Sequence, residues 1–115
     1  MRSLLLIGVL ALGLAAVPRP AGAASVRMYV RHEVASYVVW RKAYDRFDAT
    51  RRKLGVIAQA VYQSLDDPND VTVTHDFASA AEARSFAASA ELKAAMQKAG
   101  VKGVPSVWFT TPAPR

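Results

Sequence analysis

Between Val26 and Phe109 the spacing of apolar side chains changes from every second residue to every third or fourth and back, twice over. The order of those changes admits few folds. Residues 26–33 alternate, with Val26, Met28, Val30 and His32 on one face of a strand and Arg27, Tyr29, Arg31 and Glu33 on the other. From Ser36, a good N-cap, the spacing turns helical: the bulky positions Tyr37, Trp40, Tyr44, Phe47 and Leu54 recur at threes and fours. Arg51, Arg52 and Lys53 suit the negative end of the helix dipole, and Gly55 suits a left-handed stop, so one helix is expected over about 36–54.

A second strand follows over 56–65, then the turn DDPND, with Pro68 preset for the second turn position and Asn69 tolerant of the third. Strict alternation returns in 71–77, where Val71, Val73, His75 and Phe77 oppose Thr72, Thr74 and Asp76, and the two strands read as a hairpin. The acidic turn lacks the spacing and the glycine of a calcium loop, and it is expected to be a turn only. Ser79-Ala80-Ala81-Glu82 is a capping box that opens a further helical stretch. Ser89 offers a fresh cap, so the stretch to Lys98 reads as one helix or two short ones, ended by Gly100. After Gly103 and Pro105, SVWFTT forms a last strand. The result is a ferredoxin-like β-α-β-β-α-β chain of the α+β class: a four-stranded antiparallel sheet with its helices on one face and the first and third strands central. Apolar residues fall on both faces of the outer strands, so a second copy of the same sheet is the expected cover for the open face.

The first 23 residues stand apart. Met-Arg, a 14-residue apolar run from Leu4 to Val17 and an Ala21-x-Ala23 site describe a secretory signal peptide, and the run is too short for a comfortable bilayer span. A single domain over 24–115, periplasmic or secreted and without a stable membrane anchor after cleavage, is the expectation. The chain has no cysteine, which removes disulfides, thiolate nucleophiles and cysteine-ligated metal clusters. Arg2 and Arg19 depart with the signal, leaving 13 basic residues against 9 acidic ones. Six of those cations (Arg41, Lys42, Arg46, Arg51, Arg52 and Lys53) share the first helix. They are read as a solvated face with the surface pairs Arg41–Asp45 and Asp48–Arg52, and no nucleic-acid partner is expected.

His32 and His75 are the only imidazoles, and each shares a strand face with valines. An imidazole suits proton transfer near neutrality, so both are candidate catalytic groups. His75 is the stronger of the two, since an idle polar group mid-sheet would carry a desolvation cost, whereas His32 beside the strand-to-helix turn is expected to be partly exposed. If Val71 lies opposite His32, the two histidines stand about 13 Å apart at about 3.4 Å per residue, too far to share one metal ion within a subunit. Trp40, Tyr44 and Phe47 form a helical stripe that reads as pocket lining or as core. Tyr62, Trp108 and Arg31 are the candidate substrate-binding residues, with dimer interface or plain surface as the alternatives.

Three stretches, VRHEVASYVVWRKAYDRF, VYQSLDDPNDVTVTHDF and AASAELKAAMQKAGVKGVPSVWF, resemble the small dimeric α+β barrel proteins of the antibiotic-biosynthesis-monooxygenase-like superfamily over nearly all of 26–109. The resemblance implies a homodimer in which two sheets close into a barrel, in a superfamily whose members include cofactor-free oxygenases, haem-degrading enzymes, isomerases, cyclases and proteins with no known activity. It transfers no catalytic residue position by position. Two functions follow as expectations. The first is a cofactor-independent, monooxygenase-like enzyme acting on a small apolar or aromatic molecule. The second is a non-catalytic exported dimer that binds a small ligand or haem.

Overall fold

The computed structural model describes residues 25–115, so the leader assigned to 1–23 lies outside the described residues. The order is β1 (Val26–Val34), α1 (Tyr37–Arg46), α2 (Asp48–Lys53), β2 (Ala58–Gln63), β3 (Asp70–Phe77), α3 (Ala80–Ala87), α4 (Ala90–Lys98) and β4 (Val101–Thr110). The four strands form one antiparallel sheet in the order β2-β3-β1-β4, which places β1 and β3 at its centre as expected. In the central pair, His32 lies opposite Val71 and His75 opposite Met28.

The period-2 pattern divides the sheet as the sequence reads. Met28, Val30, Val34, Val71, Val73 and Phe77 point to the helices and are buried there against Trp40, Tyr44, Ala83, Phe86, Leu92 and Ala99. The other face carries Tyr29 stacked on Trp108 (centroids 5.1 Å apart) and two bidentate ion pairs. Arg27 grips Asp76 at 2.7 and 3.0 Å, and Arg31 grips Asp70 at 3.0 and 2.6 Å.

Two elements depart from the expectation. The single helix over 36–54 is two helices, broken at Phe47, whose backbone (φ −83°, ψ −3°) stays right-handed but departs from regular α-helical geometry. The break is held by Arg51, whose guanidinium folds back under it and donates to the Tyr44 carbonyl at 2.8 Å, an acceptor it shares with the Phe47 N–H at 3.2 Å. Gly55, at φ +106°, then turns the chain toward β2, as its place in the sequence suggests. The second departure is β4, which starts at Val101 rather than after Pro105. It absorbs Gly103 and Pro105 because it is an edge strand whose register against β1 shifts between Arg31 and Glu33.

The helical stretch after the capping box is two helices, with Ser89 at the joint: its hydroxyl accepts from the Leu92 N–H at 3.1 Å and donates to the Phe86 carbonyl at 2.8 Å. The hairpin turn also does more than reverse the chain. The side-chain oxygen of Asn69 accepts from the Tyr37 N–H at 2.9 Å and its carbonyl accepts from the Val34 N–H at 2.8 Å, tying the hairpin to the start of α1. Among the described residues no helix is long and apolar enough to cross a membrane.

Candidate functional site

The helix-facing positions of β1 and β3 each contribute one polar residue to an otherwise apolar layer: His32 after Val30, and His75 after Val73. Both are buried, at 7% and 3% exposure, so the expected partial exposure of His32 is corrected. Although it stands beside the strand end, the α1 stripe covers it, and its ring meets Trp40 edge-on at 5.7 Å. From the helical side the stripe runs Trp40, Tyr44, Phe47 and then Arg51, which is only 2% exposed. Arg51 is therefore no member of a solvated face, in contrast to Arg52, which pairs with Asp48 at 2.9 Å on the surface, or Arg41, which pairs with Asp45 at 3.1 Å.

These residues line one cavity between sheet and helices. It has a volume of about 40 Å³, with His32, His75, Arg51, Trp40, Tyr44 and Phe47 in its wall and Val30, Val73, Leu92 and Met96 as apolar filling. Four nitrogens of its wall are buried without a hydrogen-bond partner: Nδ1 and Nε2 of His32, Nδ1 of His75 and Nε of Arg51. Buried polar groups are normally paired, and leaving one unpaired costs on the order of 1–3 kcal/mol. Four such nitrogens on residues that line one cavity thus describe a place built to be filled.

Electrostatics sort the roles. Burial, reinforced by the positive charge of Arg51, pushes the His75 imidazole down to about 3, so it is neutral at ordinary pH. Burial also lowers His32, with the carboxylate of Asp70 working against that effect. Tyr44 is pushed up to about 12 by burial and stays a neutral phenol, donating to the Oε1 of Gln59. The Arg51 guanidinium lies 3.8 Å over the Tyr44 ring, donates to the Tyr44 carbonyl, and has only the half-exposed Asp48 carboxylate near it, at 3.5 Å. A buried cation with so loose a counterion favours an anion in the cavity beside it. Among the described residues no group of three or more His, Cys, Asp or Glu side chains is placed to hold a metal ion.

The remaining candidates are elsewhere. Tyr62, Trp108 and Arg31 point from the opposite, open face of the sheet, and the structure does not bring them together with the histidines. Arg31 is paired with Asp70, while Tyr62 and Trp108 are 56% and 43% exposed. The residue that sequence reasoning overlooked is Arg51, yet a signal for it was present. Continuing the threes and fours of Tyr37, Trp40, Tyr44 and Phe47 by one more step of four lands on it.

Neither a protein-family model nor a curated protein sequence matches this chain. Solved structures do. One is a protein of Bordetella bronchiseptica assigned to the antibiotic biosynthesis monooxygenases, with a TM-score of 0.68 at 12% identity over 80% of this chain and 100% of that one. Another is SnoaB, a cofactor-independent oxygenase from Streptomyces nogalater, with a TM-score of 0.65 at 13% identity over 81% of this chain and 97% of that one. A third is the ActVA-Orf6 monooxygenase of Streptomyces coelicolor, solved with the ligand nanaomycin D, with a TM-score of 0.60 at 22% identity over 80% and 90%. At these identities the likeness establishes a shared fold.

Proposed function

We propose that this chain, which has the fold of the antibiotic biosynthesis monooxygenase-like proteins, is a cofactor-independent oxygenase acting on a carbon acid of the phenol or enol type whose reacting end enters the cavity between sheet and helices. The observation that carries the reading is the convergence of His32, His75 and Arg51, with four unpartnered nitrogens, on one buried apolar cavity. It is supported by the description of one structural neighbour as a cofactor-independent oxygenase and of another as a monooxygenase.

The chemistry asked of the residues is modest. His32 takes the proton from the acidic carbon, and Arg51 stabilises the anion that remains in a site of low dielectric, where a fixed cation is most effective. That anion carries the reducing electrons itself. It adds to dioxygen, the peroxide is protonated from the imidazolium, and loss of water leaves a ketone, so a CH₂ group and O₂ become C=O and H₂O with no outside reductant. Neutral His75 offers a hydrogen bond to the ligand and remains uncharged. Burial keeps it so, with the Arg51 charge acting in the same direction.

A second copy is part of the reading, as is export. Tyr62, Trp108 and the Tyr29–Trp108 stack form the surface on which a partner sheet would lie, and the apolar N-terminal run supports secretion.

Oxygen uptake with anthrone as probe tests the activity. One O₂ consumed per anthrone in the presence of a strong chelator, with a rate that falls at least 100-fold in His32→Asn, is the expected result. A rate equal to the buffer's, or one unchanged in both His32→Asn and His75→Asn, overturns the assignment.

A further inference from the structure

The inner cavity is too small for a whole ring system: its 40 Å³ holds a few waters, or the reacting end of a larger molecule. Directly outside it lies a groove of about 300 Å³ between the α1–α2 corner and α4. Its two walls are ridges of matching spacing, Ala43, Phe47 and Thr50 on one side and Glu91, Ala94, Ala95 and Lys98 on the other. Ala43, Phe47 and Ala95 line both spaces, so a single layer of side chains separates groove from cavity. That layer is formed where the helix breaks, at Phe47, and by two small side chains, Ala43 and Ala95. The groove's floor is apolar, and its polar residues Arg46, Glu91 and Lys98 are exposed at the rim, outside any ion pair among the described residues.

We infer that this groove is a second subsite of the same ligand site, holding the apolar body of a molecule whose acidic head sits on His32, His75 and Arg51. The inference rests on the inner cavity being a ligand site and adds the shape of the ligand: a small ionisable head and a hydrophobic extension that passes Phe47 between the helices. Continuity with the inner cavity commits the groove to this occupant. The buried unpartnered nitrogens call for the polar end, and this groove, with its apolar floor, is joined to their cavity through the shared wall residues Ala43, Phe47 and Ala95.

Calorimetric titration of the full mature chain with phenol and with 4-butylphenol separates head from body. The expected result is that 4-butylphenol binds at least about tenfold more tightly, since each buried methylene favours binding. The advantage should vanish in Ala94→Phe, which fills the outer part of the groove from the exposed side of α4 and leaves the space beside Phe47 and Ala95 to the phenol ring, so that phenol binding persists. Should Ala94→Phe fail to fold, Thr50→Tyr fills the same groove from the facing ridge. Equal affinity for the two phenols overturns the subsite and leaves the inner cavity standing, as does an advantage that survives the filled groove. Equal weakening of both phenols by the filling overturns it too. If neither phenol binds to the unaltered chain, the cavity reading falls and the subsite with it.

Discussion

At the scale of single residues, the site is a set of compromises between burial and charge. His75 is neutral in the folded chain down to about pH 3, whereas in an unfolded chain it takes a proton near 6.5. Between those values the unfolded state binds a proton that the folded state refuses, so stability falls as pH falls, by about 1.4 kcal/mol per pH unit for a single such group. His32, also lowered, acts in the same direction. Urea denaturation at pH 7, 6, 5 and 4 should therefore show a steep loss that flattens in His75→Leu; an unchanged slope would remove His75 as the cause. The charge of Arg51 is the second hold on His75. In Arg51→Met the imidazole should titrate higher, as followed by its ring-proton NMR shifts, and turnover of anthrone should drop by about 10²–10³, the scale of a lost electrostatic stabiliser. Both histidines were legible in the sequence because they interrupt valine-lined strand faces. The burial of His32 was not, since a position beside a turn carries no sign of the helix that will lie over it. Arg51 was hidden by its company: among six cations on one helix, only the step from Phe47 sets it apart.

At the scale of elements, the joints carry more information than the helices they separate. Ser89 serves two helices, capping α4 and closing the last turn of α3. Ser89→Ala should cost about 1 kcal/mol in chemical denaturation, the usual worth of a good N-cap. A loss near zero would mean the two helices are held by packing alone. The capping signals at Ser36, Ser79 and Ser89 were plain in the sequence, and each hydroxyl accepts from a helical N–H as its position suggests. The break at Phe47 had no such sign, being the product of a tertiary contact between Arg51 and a carbonyl seven residues earlier. Likewise the length of β4 was misjudged because Gly103 and Pro105 read as punctuation, and an edge strand tolerates both. The tie between Asn69 and the start of α1 joins residues 32 apart, a relation that spacing along the chain does not reveal.

At the scale of the whole molecule, the sheet topology was the most legible feature, because alternation fixed which face of each strand is apolar and the hairpin fixed the central pair. The division of the candidate residues was less so. The alternation puts Tyr62 and Trp108 on one face and the histidines on the other, but treating them as one pocket required knowing which face the helices cover. The open face supports a partner sheet, and we expect native mass spectrometry to give a mass of two mature chains, with Trp108→Glu shifting the population toward the single chain; a monomer at micromolar concentration would count against the dimer. Pro105 has a consequence for such assemblies. With no N–H at that position and a register shift in the same stretch, β4 makes an interrupted template for another strand. Strands of other chains are thus discouraged from adding edge to edge at β4 into open-ended ribbons.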